Sequence, residues 1–336
     1  MASTSHTDSS IQAMSVAQLS HLSQSSPLGH ATVRAEMSTR HLRMLARFLS
    51  NVHDFMPILR SLGAVISGSF ALNYVLGTSS CDESDLDIYV PFDQFQAMVA
   101  YLADVEGYME DDGEAERRRV LGQEQERLHD EAMLQLAHHN PHYTFIPVET
   151  GILRVASLRK ATRKIDVIQS KSASALYAIT RFWSTLQMNY LSASGYCVAY
   201  PQTTFRRIGV VSPHVMRDNA NPRSFVLQLI HKYEARGYTF RHNWFEDNER
   251  GCSRDHAHVF CPTVRRTFED KWSYCGSYAS STAAPRFNAA RDGFVTEWKV
   301  TWQLGGHHQR NDEKLSCTAR AWHSVTGQGE KRSLYN

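Results

Sequence analysis

The segments AVISGSFALNYVLG (64–77) and DLDIYV (85–90) decide the predicted fold. In the first segment, a short apolar run is followed by a Ser-Gly-Ser turn and then by apolar residues that can form a helix. In the second, apolar residues alternate with Asp85 and Asp87, which is the pattern of a half-buried strand. The order is therefore strand, tight turn, helix and a second strand that carries two acids.

Asp85 and Asp87 are two residues apart in the predicted strand, so their side chains must project from the same face. Two carboxylates in one small volume repel each other unless a cation lies between them, and their hard oxygen ligands suit Mg²⁺ or Mn²⁺. Asp166 lies between Ile165 and Val167 in another strand-like run, which makes it the candidate for a third ligand. Three carboxylates around two divalent ions form an arrangement that phosphoryl transfer can use.

Gly68, Ser69, Lys164 and Lys171 are the candidates for holding the phosphates of a nucleotide. Gly68 has no Cβ, so a phosphate can approach its backbone closely, and the amides at the start of the following helix point toward an anion. The two lysines bracket Asp166 and could bind a triphosphate by charge, although most basic residues of this kind simply face water.

The segments ILRVASL (152–158) and KIDVIQ (164–169) predict a β-hairpin around Asp166. The basic residues RKATR (159–163) would form its turn.

Taken in order, these features resemble the nucleotidyltransferase superfamily, which includes DNA polymerase beta, poly(A) polymerases and aminoglycoside nucleotidyltransferases. Gly68 and Ser69 match its Gly-Ser signature, Asp85 and Asp87 its paired acids, and Asp166 its third acid. The resemblance implies that the three acids are catalytic, that Asp85 and Asp87 bind both metal ions, and that Asp166 binds one of them. It covers about a third of the chain. The interval from Ser69 to Asp85 is longer than usual, and a charged insertion separates Asp87 from Asp166.

Two further segments, FWSTLQMNY (182–190) and CPTVRR (261–266), are similar to nucleotidyltransferase-like proteins of mushroom-forming fungi. This second likeness specifies no activity.

The predicted fold class is α/β of the α+β type, a small mixed sheet flanked by helices. Residues 1–37 are rich in small and polar residues and predict a disordered tail. Residues 38–171 would form the core, opened by a helix that breaks near Pro57 and interrupted by an exposed helical insertion at about 106–141. Residues 172–336 would form a mostly helical region with a short β element.

In that last region, apolar residues from Leu176 to Leu191 recur at helical spacing. A second helix would have Asn221 as its cap, begin at Pro222 and stop at Gly237. Alternation around Val300 and Trp302 predicts a late strand.

The overall composition excludes few classes of protein. With 36 Lys and Arg against 34 Asp and Glu, the formal charge of +2 is too small to indicate nucleic acid or anionic lipid as a partner. No apolar run approaches the roughly 20 residues of a membrane span. The six scattered cysteines indicate reduced thiols rather than a disulfide framework. A soluble protein of the cytoplasm or nucleus is expected.

Three other interpretations stay open. In the first, Asp85 and Asp87 cap a loop and Asp166 pairs with Lys164 or Arg163. In the second, the fold is catalytically silent and binds a nucleotide or a protein partner as a scaffold. In the third, zinc at Cys252, His256, His258 and Cys261 stabilises a nucleic-acid-binding module, although the spacing fits none of the common finger patterns. The acceptor, whether RNA, a small molecule or a protein, cannot be read from the motif.

Overall fold

The computed structural model describes residues 11–24, 26–78, 85–111, 150–212, 215–216, 222–241, 259–260, 264–278, 300–303, 307–311, 314–318 and 323–326.

Helices and strands are mixed along this part of the chain. The helices are α1 (Val16–Gln24), α2 (Pro27–Leu45), α3 (Val52–Ser61), α4 (Gly68–Leu76), α5 (Phe95–Asp104), α6 (Leu176–Ile179), α7 (Pro201–Thr204) and α8 (Ser224–Glu234). The strands are β1 (Val65–Ser67), β2 (Asp85–Val90), β3 (Met109–Glu110), β4 (Ile152–Lys160), β5 (Arg163–Ser170), β6 (Asn189–Leu191), β7 (Gly195–Val198), β8 (Ile208–Val210), β9 (Thr239–Arg241), β10 (Arg266–Thr267), β11 (Tyr274–Ser277), β12 (Val300–Gln303), β13 (His307–Asn311), β14 (Lys314–Thr318) and β15 (His323–Thr326).

The centre of the fold is an eight-stranded sheet in the order β11-β7-β6-β1-β2-β5-β4-β3. Strands β2 and β5 are parallel, whereas β1 is antiparallel to both of its neighbours, so the sheet is mixed. The remaining strands form small separate sheets, β10-β12-β15, β13-β14 and β8-β9. The predicted α+β class is confirmed, and so are the hairpin of β4 with β5 and the late strand β12.

The two faces of β2 meet different surroundings because successive side chains of a strand point to opposite faces. Leu86, Ile88 and Val90 lie in an apolar core with residues of α3, α4 and α5. Tyr89, on the face that carries Asp85 and Asp87, lies in a second core with side chains from the C-terminal half of the chain, among them Tyr200 and Trp302. The sheet thus separates an N-terminal helical layer from the face of the acids.

The prediction of a disordered tail over 1–37 is wrong for residues 16–24 and 27–37, which lie in α1 and α2. Ser26 caps α2 by accepting a hydrogen bond from the Gly29 amide at 3.0 Å. Val16 and Leu19 are buried in the N-terminal core. Their burial offsets the conformational entropy that the segment loses on ordering, which its polar composition did not predict.

The helix predicted from residue 38 breaks at residues 46–51 instead of at Pro57, which lies inside α3. Asn51 provides a new start because its side chain accepts a hydrogen bond from the Asp54 amide.

The long helix predicted from Leu176 to Leu191 is also wrong. Only the short α6 is helical at its start, Thr185–Gln187 forms one 3₁₀ turn, and Asn189–Leu191 is strand β6. The reason is a pairing with a distant strand. Leu191 pairs with Ile66, so β6 supplies hydrogen-bond partners to the edge of β1 that would otherwise have none. Local periodicity could not reveal a partner so far away in the chain.

Helix α8 is confirmed, with Val226, Ile230 and Tyr233 buried, but it begins at Ser224 rather than at Pro222. Asn221 lies outside the described residues.

The charged insertion cannot begin at residue 106, because Glu106 is buried and its carboxylate accepts a hydrogen bond from the Ser50 amide at 2.6 Å. Residues 112–141 of the predicted insertion lie outside the described residues.

The division into domains at residue 171 stays a prediction, but the central sheet takes β6, β7 and β11 from beyond it. Among the described helices, none combines the length and the apolar character needed to cross a membrane.

Candidate functional site

A row of four polar residues crosses four adjacent strands of the central sheet. Asp87 of β2 is paired with Ser67 of β1 on one side and with Asp166 of β5 on the other, and Asp166 is paired with Ser157 of β4. Residues directly opposite each other on neighbouring strands share a face of the sheet. The predicted second and third acids are therefore brought side by side, although 78 residues separate them in the sequence.

A second row on the same face lies two residues further along the strands. Asp85 is paired with Lys164, and Lys164 is paired with Arg159 of β4. Arg159 forms an ion pair with Asp111. All three acids and Lys164 thus lie on one face, within two neighbouring rows of the sheet.

Asp166 is held by two side chains. The ammonium nitrogen of Lys164 lies 3.1 Å from Oδ2 of Asp166, and Ser157 donates a hydrogen bond of 2.7 Å to Oδ1. Lys164 and Asp166 are 4% and 6% exposed, whereas Asp85 and Asp87 are half-buried. One half of the alternative interpretation is therefore observed, because Asp166 pairs with Lys164. For the other half, Asp85 and Asp87 lie in strand β2.

Gly68 is required by the position of Asp87. Its φ of +69° lies in the left-handed region, and a Cβ at this position would overlap Oδ2 of Asp87 and lie 3.2 Å from its Cγ. The carboxylate of Asp87 therefore rests against the first residue of α4, where the free helix amides favour negative charge.

The two serines beside Gly68 have different surroundings. The hydroxyl of Ser67 donates to the backbone carbonyl of Asn189 at 2.5 Å and does not cap α4. Ser69 lies in the first turn of α4 and is half-buried. Gly68 lies next to Asp87, and Ser67 links β1 to β6, while the phosphate-binding role of Gly68 and Ser69 stays a prediction.

Two buried tyrosines lie close enough to the acids to be affected by their charge. Burial raises the pKa of Tyr89 well above its ordinary value, and the charges of Asp87 and Asp166 add to this effect. Burial also raises the pKa of Tyr233 to about 12, again with a contribution from Asp87. The Tyr233 hydroxyl accepts a hydrogen bond of 2.5 Å from Gln187. Both phenols are therefore neutral groups beside the acids.

The structure does not bring Lys171 to the acids. It follows β5 five residues after Asp166, which places its backbone about 16 Å further along the strand at roughly 3.3 Å per residue. The cysteines and histidines of the zinc hypothesis, Cys252, His256, His258 and Cys261, lie outside the described residues.

Sequence reasoning missed Ser157, Gln187 and Tyr233. Ser157 depends on the register of the hairpin, and the predicted turn 159–163 would have placed its neighbour Ala156 opposite Asp166. Gln187 and Tyr233 come from distant elements and carry no local signal.

The acids fit a divalent metal ion in part. Asp85 and Asp87 present hard oxygen ligands from one face of β2, which is the ligand type that Mg²⁺ and Mn²⁺ prefer. Within the described ranges, however, no three His, Cys, Asp or Glu side chains lie close enough together to hold a metal ion. Beside Asp166, the positive charge is supplied by Lys164.

Comparisons of the chain with protein-family models, with curated proteins and with solved structures give no match.

Proposed function

We propose that this chain is a metal-dependent nucleotidyltransferase that moves a nucleoside monophosphate from a nucleoside triphosphate to an acceptor, which is RNA, a small molecule or a protein. The observation that carries the proposal is the pairing of Asp87 with Asp166 directly beside Gly68 at the start of α4. It combines, on one face of a sheet, a group of acids with a helix start that can receive phosphate.

Each residue has a role that its surroundings support. Asp85 and Asp87 would hold a Mg²⁺ or Mn²⁺ ion, which supplies activation of an attacking hydroxyl and charge neutralisation on the leaving pyrophosphate. Gly68 and the first-turn amides after Ser69 would contact the triphosphate, while the Asp87 carboxylate takes the space that a Cβ of residue 68 would occupy. Asp166, fixed in orientation by Ser157, would accept the proton of the acceptor hydroxyl.

A second candidate is the catalytically silent scaffold, which binds a nucleotide or a protein partner without turnover. The ion pair between Lys164 and Asp166 favours it, because a carboxylate that already contacts a buried lysine and a serine has less room to contact an acceptor hydroxyl.

The deciding experiment uses the double variant Asp85→Asn, Asp87→Asn and a matched control, Asp93→Asn, Asp104→Asn. The control makes the same charge change at two exposed positions. Each purified protein is incubated with each radiolabelled nucleoside triphosphate, Mg²⁺ or Mn²⁺, and RNA, cell-extract metabolites or proteins as acceptors.

We expect label transfer and pyrophosphate release by the wild type and the control, and a loss of about a hundredfold or more in the double variant, since a catalytic metal contributes several kcal/mol. Metal-dependent binding of triphosphate without transfer would favour the scaffold. Equal transfer by the double variant and the control would exclude these acids as the site.

A further inference from the structure

We infer that Lys164 takes the place of a second metal ion beside Asp166, so that the site binds a single divalent ion on Asp85 and Asp87. This inference rests on the proposed function and changes its metal count, because three acids of this kind would otherwise be expected to hold two ions.

The first argument is the occupation of Asp166. Its Oδ2 is 3.1 Å from the Lys164 ammonium and its Oδ1 accepts the Ser157 hydroxyl at 2.7 Å, so each carboxylate oxygen already has a partner of suitable chemistry. A metal ion bound to Asp166 would have to displace one of these two contacts or share an oxygen with it.

The second argument is burial. Lys164 is 4% exposed and Asp166 is 6% exposed, so the ammonium cannot move into water without leaving the strand face on which it lies. Removing one member of a buried ion pair leaves an uncompensated charge, which is strongly unfavourable. The ion pair is thus a stable part of the face and not a loose surface contact.

The third argument is the balance of charge. Asp85, Asp87 and Asp166 carry three negative charges, of which Lys164 neutralises one and a single divalent ion the other two. Among the described strands, Arg159 also lies on this face, and it forms an ion pair with Asp111. A second divalent ion would leave two surplus positive charges on a partly buried face, which is unfavourable before a nucleotide arrives.

The test counts Mn²⁺ ions on the purified full-length protein in the absence of nucleotide, by isothermal titration calorimetry and by the electron paramagnetic resonance signal of free Mn²⁺. We expect one ion per chain for the wild type. Lys164→Met keeps the length of the side chain and removes its charge, so it should bind two. Lys164→Arg keeps the charge and should bind one, and so should Lys171→Met, which removes a lysine at the far end of β5.

Two ions on the wild type would overturn the inference and leave the proposed function intact. One ion on a folded Lys164→Met protein would also overturn it. If that variant does not fold, as judged by circular dichroism, the counts of the wild type and Lys164→Arg still decide. Absence of any Mn²⁺ binding by the wild type would overturn the metal-dependent function itself, and the two failures are therefore distinguishable.

Discussion

Two of the buried ion pairs among the described residues have similar chemistry and different surroundings. In the first, Lys164 contacts one oxygen of Asp166, and two more acids lie in the same rows of the sheet. In the second, Arg266 of β10 is 1% exposed and binds Asp270 through two nitrogens, at 2.5 and 3.2 Å. The Asp270 carboxylate also accepts the backbone amides of Thr267, Trp272 and Ser273, each at 3.0 Å.

The two carboxylates differ in the number of donors that they receive. Asp270 receives donors from residues close to it in sequence, and the Arg266 guanidinium lies against the rings of Tyr200 and Trp302, with ring centroids 4.5 and 5.4 Å away. These contacts of Arg266 and Asp270 fix the segment 266–273 onto the second core. The pair at Asp166 has a lysine, a serine and neighbouring negative charge. We therefore assign the first pair to the proposed binding site, since further acids lie beside it, and the second pair to a structural anchor, since donors of its own segment surround the Asp270 carboxylate.

The largest expected effect is on stability at the anchor. Arg266→Met should lower the free energy of unfolding by about 3–5 kcal/mol, because it leaves the Asp270 charge without its buried partner. Urea unfolding followed by fluorescence measures it. The control is Arg265→Met, which changes the exposed neighbour and should cost less than about 0.5 kcal/mol. Equal losses in both variants would contradict the description of Arg266 as an anchor.

His41 is a buried basic side chain, and it predicts a pH dependence of the folding stability that is of intermediate size. His41 lies between the rings of Tyr74 and Tyr278, neither ring nitrogen has a hydrogen-bond partner among the described residues, and burial lowers its pKa to about 3. The unfolded chain takes up the proton near the ordinary value of 6.5. The stability from the neutral folded histidine is therefore complete above pH 6.5 and decreases as the pH falls from there toward 3.

At pH 5 this histidine should cost about 2 kcal/mol, at roughly 1.4 kcal/mol per pH unit below 6.5. The measurement is the difference in the free energy of unfolding between pH 7.5 and pH 5, compared for the wild type and His41→Phe. The variant should lose less stability on acidification than the wild type does. An unchanged pH dependence would show that His41 is not the responsible group.

The smallest expected effect is at the site. Ser157→Ala removes one hydrogen bond to Asp166 while Lys164 remains, so the free energy of unfolding should fall by only about 1 kcal/mol. Label transfer should fall more than stability does, because the orientation of Asp166 is lost. Ser61→Ala, at an exposed serine, is the control. A loss as large as that of Arg266→Met would make the pair at Asp166 an anchor as well.

The local part of the site could be predicted from the sequence because it depends on strand alternation. The pattern DLDIYV places Asp85 and Asp87 on one face, and the apolar residues around Asp166 place it in a strand. The pairing of these strands with each other needed the structure.

Contacts that depend on register or on distant residues could not be predicted in this way. A turn centred on Ala161, as the predicted turn 159–163 implies, would place Ala156 opposite Asp166. The observed turn has two residues, Ala161 and Thr162, and brings Ser157 to that position, because a shift by one residue exchanges the faces of a strand. Tyr233 comes from α8, and no local pattern connects it with Asp87.

The central place of β1 also sets the order in which the protein can fold while it is being synthesised. β1 lies between β2 and β6, and the Ser67 hydroxyl meets the Asn189 carbonyl 122 residues later in the chain. At about 5–20 residues per second, a ribosome needs roughly 6–25 s to make that interval. During this time β1 can pair with β2 alone, and its other edge is open to the wrong strands. A chaperone or a pause in translation that shields this edge would therefore have to act until β6 has been made, after both predicted acid strands β2 and β5 are present.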